Sequence, residues 1–222
     1  MPIDPNAAIE VTAFKWVPDF ARGFVRDLRV RWALEEIGLP YRVRLIGGEG
    51  DRPADYWLDQ PFGQVPVYKE GDLTLFESGA ILIHIGEKDE RLLPRDANGR
   101  ARAIMWLIAA LNSIEPQSGQ LTAIDVFDRG AEWGKLRRPR VVEIVEQRLS
   151  RLSDWLGGKE WLEGRFTVGD IMMVDALRGI SDDSLLARHA NLAAYVARGT
   201  ARPAFRRAMD AQIANFAELE AA

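Results

Sequence analysis

The sequence predicts an α/β module followed by an all-helical one, and three observations carry that prediction. Strand and helix patterns alternate over roughly the first 88 residues, and no convincing strand follows them. Between the two lies a charged run containing Pro and Gly, "KDERLLPRDANGR" (88–100). The composition shift gives a first domain at 1–88, a linker at 89–98 and a helical domain at 99–222.

The first strand is "IEVTAFKW" (9–16), where branched and aromatic residues recur at short range. A loop, "VPDFARGF" (17–24), leads to a helix in which Val25, Leu28, Trp32 and Leu34 to Ile37 fall at roughly helical spacing. Gly38 with Pro40 just beyond stops it. "YRVRLI" (41–46) alternates apolar and basic residues, as a half-exposed strand does. The stretch "GGEGDRPADYWLDQPFG" (47–63) is punctuated by Gly and Pro, with one short helix expected around 54–58. Strands at 65–69 and 73–76 join at Gly71-Asp72, a sequence suited to a tight hairpin turn, and a helix runs from Ser78 to about Lys88.

In the second part, "RARAIMWLIAALNSIE" (100–115) is apolar nearly all round and should be buried on most sides. "RVVEIVEQRLSRLSDWLGG" (140–158) is an amphipathic helix, and three more are expected at 171–180, 185–197 and 203–219. No internal repeat or low-complexity segment interrupts this order.

Composition narrows the function. With 47% hydrophobic and 28% charged residues and a net charge of −4, the chain is an ordinary globular protein and not a general nucleic-acid binder. No apolar run reaches the length of a membrane span, and "MPIDPNAAIE" lacks the basic start and apolar middle of a signal peptide, so a cytoplasmic location is expected. The absence of cysteine removes disulfides, thiolate metal sites and any protein thiol nucleophile. His84 and His189, far apart, read as packed or surface residues, and no metal is expected. If the chain is an enzyme, its reactive group arrives with a cofactor or cosubstrate.

Two features carry chemistry. Pro66 cannot donate to a sheet ladder, so either a strand simply begins there, or Val65 presents its main chain to an extended peptide-like ligand. A cis Val65-Pro66 bond would fix that second geometry. Ser78 at a helix start is an N-cap, and the same place suits a carboxylate because N–H groups converge there. Glu77 beside it could receive an ammonium group.

The order of these pieces, with "RVRWALEEIGLPYRV" (29–43), "FGQVPVYKEGDLTLFESGAIL" (62–82) and "LEGRFTVGDIMMVDALR" (162–178), resembles the cytosolic glutathione transferase family over nearly the whole chain. A bacterial member of unassigned class is expected. The resemblance implies a thioredoxin-like first domain that binds glutathione as cosubstrate. By it, Val65 ahead of a cis Pro66 pairs with the cysteinyl unit, and Glu77 and Ser78 hold the γ-glutamyl amino and carboxylate groups. Gln64 matches the residue before the V-P motif that often contacts glutathione, and Arg52 is the candidate for the glycine carboxylate. It further implies a homodimer with a small hydrophobic electrophile as second substrate, lined by Trp16, Phe20 and Phe24 and by the helix around Met105 and Trp106. In the third segment Thr167 caps a helix with Asp170 three residues on, an acidic capping box, and Phe166 and Ile171 occupy the staple positions.

One part of the family pattern is missing. Most classes place Tyr, Ser or Cys where the first strand ends, to hold the glutathione thiol as thiolate; "AFKWVPDFARGFVRD" (13–27) has none, and Ser78 is the first serine in the chain. Alignment on "RVRWALEE" puts Arg22 near the position of a serine-type hydroxyl and Val25 near that of a cysteine nucleophile. Arg22, with Arg26 and the Trp16 indole N–H, is then the candidate activator, against solvation or pairing with Asp19 or Asp27. A glutathione- or ligand-binding protein with little catalysis is the alternative reading.

Overall fold

The computed structural model describes residues 2–48 and 51–220, with side chains up to Phe216. The chain forms an α/β unit and a helical unit, as the sequence predicts. By packing, residues 1–92 and 202–222 make one compact unit, and residues 93–201 make the other.

The first unit is built on a four-stranded mixed sheet, ordered β2-β1-β3-β4. Strands β1 (Ile9–Phe14) and β2 (Tyr41–Ile46) are parallel, with Val11 opposite Val43. Helix α1 (Asp27–Ile37) provides the crossover that a parallel pair requires. Strand β3 (Val67–Glu70) runs antiparallel to both β1 and β4 (Leu73–Phe76). The turn between β3 and β4 needs a positive φ at its first residue, and Gly71 supplies it at 58°. A short helix, α2 (Tyr56–Asp59), precedes β3, and α3 (Ser78–Lys88) follows β4. Glu49 and Gly50 of the predicted loop lie outside the described residues.

Helix α1 is buried from Asp27 to Glu35, charged residues included, which is more than an amphipathic surface helix shows. The cause is α10 (Pro203–Glu220), which the sequence reading groups with the helical part and which packs here along α1. Arg202 makes a bidentate pair with Glu36 at 2.6 and 2.7 Å. Arg207 reaches Glu35 at 2.6 Å, and the Phe205 ring meets Trp32 edge-on at 4.9 Å.

In the second unit, α4 (Ala97–Ala109) and α5 (Glu115–Thr122) join through a π-helical turn at 110–114, and a second π turn at 123–127 continues α5. Pro116 explains why the sequence suggests an end near 115. Proline lacks an N–H and crowds the carbonyl four residues back, and the wider π turn just before it keeps the chain helical. Helix α6 (Glu132–Leu156) likewise begins earlier than expected, carrying Pro139 in its interior. Helix α7 (Val168–Arg178) is buried from Val168 to Leu177. A Cβ at Gly169 would sit 2.9 Å from the Ala103 carbonyl, so glycine is what allows α7 this close to α4. The predicted helix at 185–197 is two helices, α8 (Asp183–Ala187) and α9 (Ala190–Thr200). The break falls at His189, outside helical geometry; Asn191 is turned toward α6, donating to the Ser153 carbonyl at 2.9 Å. Among the described residues no helix is long and apolar enough to cross a membrane.

Candidate functional site

The antiparallel register of β3 and β4 brings the two sequence features together. Val67 stands opposite Phe76, so Val65 and Pro66, just before β3, lie at the same end of the hairpin as Glu77 and Ser78, just after β4. The Val65–Pro66 peptide is cis. The Val65 side chain is buried with Ile46, Tyr56 and Val67, and Phe14, Val25 and Phe76 pack on that cluster. Its main-chain N–H and C=O make no hydrogen bond among the described residues.

Ser78 is the first residue of α3 and is buried. Its Oγ accepts from Arg29 Nη1 at 3.3 Å, a buried guanidinium from α1. Glu77 at the N-cap is exposed, makes no capping bond with its side chain, and holds φ 69° and ψ 110°, which L-residues rarely adopt. The first N–H groups of α3 are therefore left without a side-chain cap, beside a positive charge. An anion is favoured there by both the N–H groups and the helix dipole.

The neighbouring loop is tied down from below. Tyr56 donates its hydroxyl to the Gln64 carbonyl at 2.5 Å, and Gln64 itself is exposed. Arg52 donates Nε to the Gly63 carbonyl, and its guanidinium stacks over Phe14 at 5.4 Å. Arg52 is thus brought within two residues of Val65. Arg22, in the loop before α1, pairs with Asp19 at 3.2 Å and lies over the Phe216 ring at 5.9 Å. Val25 from the same loop contacts the Val65 cluster, so this loop borders the hairpin end. Trp16, Phe20 and Phe24 are half exposed along it.

Two contributors were not singled out from the sequence, Arg29 and Tyr56. The signal for Arg29 is a basic residue at a position that helical spacing assigns to a buried face; Tyr56 carries none beyond its place in the short helix. Among the described residues, no group of three or more His, Asp or Glu side chains is arranged to hold a metal.

This geometry coincides with a family. Residues 20–87 match the model for the glutathione S-transferase N-terminal domain. Glutathione S-transferase F10 of Arabidopsis thaliana is 31% identical over 158 residues, covering 66% of this chain and 72% of that protein. The disulfide-bond oxidoreductase YfcG of Escherichia coli K12 is 28% identical over 142 residues, 58% of this chain and 66% of that one. A glutathione transferase family member from Pseudomonas fluorescens, solved with two glutathione bound, superposes with a TM-score of 0.79 at 27% identity over 90% of this chain and 92% of that chain. The chain belongs to the glutathione S-transferase family.

Proposed function

We propose that the protein binds glutathione at the β3–β4–α3 end of its first unit and activates the thiol for attack on a small hydrophobic electrophile. The observation that supports it most is the juxtaposition of the unpaired Val65 main chain with the start of α3, where Ser78 rests on Arg29. In this reading Val65 pairs with the cysteinyl unit in the manner of an added strand. Ser78, the α3 N–H groups and the Arg29 charge receive the γ-glutamyl carboxylate, and Glu77 the ammonium. Gln64 and Arg52 face the rest of the tripeptide. The thiol then lies toward the loop before α1, where Arg22 supplies positive potential and Trp16, Phe20 and Phe24 an apolar surface. The protein acts in the cytoplasm as a homodimer.

Glutathione titration by calorimetry tests the site. Ser78→Ala, which also leaves Arg29 without that acceptor, should weaken binding about 10-fold or more, the size of one charge-assisted contact. Unchanged affinity in Ser78→Ala and Glu77→Ala together would sink the assignment. Titration of the bound thiol by thiolate absorbance tests activation: a value below the free-thiol range near 8.5 supports transfer. A value in that range supports a binding protein with little catalysis, and Arg22→Ala should then change nothing.

A second reading is glutathione-dependent disulfide reduction. The loop at 16–26 has no Tyr, Ser or Cys, and the relatives include a disulfide-bond oxidoreductase and a structure holding two glutathione. Turnover of a small disulfide with glutathione, without conjugation of electrophiles, would favour it.

A further inference from the structure

Helix α10 reaches the loop that leads into α1. Gln212 is fully buried, and its amide nitrogen donates twice, to the Val25 carbonyl at 3.1 Å and to Asp27 Oδ1 at 2.7 Å. One turn further along α10, the buried Phe216 ring lies under the Arg22 guanidinium. Positions 22, 25 and 27 are thus held by two side chains that lie more than 180 residues away in sequence. Asp27 is the first residue of α1, and its other carboxylate oxygen accepts from Arg31 Nε at 2.7 Å, so the Gln212 contact also orients the carboxylate at that helix start.

The loop has little regular structure of its own. Between β1 and α1 it holds a single 3₁₀ turn, Asp19–Ala21, and exposes three aromatic side chains. Segments of this kind open easily unless side chains tie them down. The stabilisation that a helix start gives an anion falls off within the first turn, and a site works only when held to about half an ångström. Small displacements at residues 22–27 therefore bear directly on a thiolate beside the loop.

We propose that Gln212 is a positioning residue: through the Val25 carbonyl and the Asp27 carboxylate it fixes the loop and the first turn of α1 against the thiol of bound glutathione. The inference rests on the glutathione reading above. A neutral amide suits the task, because one nitrogen offers two N–H groups to a carbonyl and a carboxylate. A glutamate there would offer none and would set a second negative charge against Asp27.

Gln212→Met keeps the length and apolar body of the side chain and removes both donors. Two measurements on the full-length protein test it. The first is amide hydrogen exchange without glutathione, where Gln212→Met should speed exchange across residues 19–27 about 10-fold and leave α3 unchanged. Arg206→Ala, an exposed position on the same helix, is the control. The second is the thiolate titration of bound glutathione. Its pKa should rise by about one unit, a tenfold loss of thiolate stabilisation, while glutathione affinity stays within about threefold. Where Gln212→Met does not fold, Phe216→Leu, which removes the ring beneath Arg22, carries the same two measurements. Unchanged loop exchange overturns the proposal. So does faster exchange with an unchanged thiol pKa, which makes Gln212 a purely structural tie. If the wild-type protein binds no glutathione, or binds it with an ordinary thiol pKa, while the loop exchange still responds, the glutathione reading has failed and the positioning role falls with it.

Discussion

Glu77 occupies a backbone position that glycine fills more easily, so local conformation and residue type conflict there. A non-glycine residue at φ 69° costs on the order of 1–2 kcal/mol, and the side chain recovers nothing through capping. On the glutathione reading proposed above, the exposed carboxylate kept there meets the ammonium group of the ligand. Glu77→Gly should therefore raise the unfolding free energy by up to about 1 kcal/mol in urea. It should also weaken glutathione binding about 10-fold or more. Lower stability together with unchanged affinity would remove the reading. The order of the residues around Glu77 is legible in sequence because a hairpin turn, a strand-starting proline and a helix start all obey local rules. The Arg29–Ser78 contact is not, because it spans 49 residues and depends on how α1 lies against α3.

At the scale of an element, α7 shows a local motif given a larger task. The predicted capping box is present, with the Thr167 N–H donating to Asp170 Oδ2 at 2.9 Å. The same carboxylate also accepts from the Leu162 N–H at 3.0 Å and the Tyr195 hydroxyl at 2.9 Å, which no capping pattern could disclose. A cap alone is worth about 0.5–2 kcal/mol. Removing Asp170 also strands two further buried donors, so Asp170→Ala should cost about 3 kcal/mol or more in denaturant unfolding; a loss below 1 kcal/mol would show that those donors find other partners. Burial pushes the Asp170 carboxyl up to about 6 from an ordinary 3.8, against the pull of its donors. Because the folded value is the higher, the contribution is full below pH 3.8 and is lost as pH rises through 6. It amounts to on the order of 2–3 kcal/mol. Wild-type stability should show this downward component between about pH 4 and 6, and Asp170→Ala should lack it. The helical elements that sequence reading shortened or merged depend on more than local rules. Pro116 and Pro139 sit inside continuous helix although proline favours a stop, and the break at His189 is accompanied by a side-chain contact from Asn191 to α6 that local rules do not contain.

At the scale of the molecule, the α/β unit is not a continuous stretch of chain. Its family-model match ends at residue 87, yet α1 is buried by α10, which begins at residue 203. Without residues 202–222, Trp32 loses the Phe205 ring, Glu35 and Glu36 lose their arginines, and Asp27 loses the Gln212 amide. Each is a group buried or half-buried on α1, and stranding such groups costs about 1–3 kcal/mol apiece, against a typical domain stability of 5–15 kcal/mol. A fragment ending at Leu92 should therefore fail to fold cooperatively. Joining residues 202–222 to it through a flexible Gly/Ser linker should restore a single unfolding transition and native near-ultraviolet circular dichroism. The same joined fragment carrying Arg202→Ala and Arg207→Ala should unfold at lower urea, because two of the ties along α1 are gone. If residues 1–92 alone unfold cooperatively at the midpoint of the joined fragment, α10 is dispensable to the unit, and its contacts with α1 contribute no net stability.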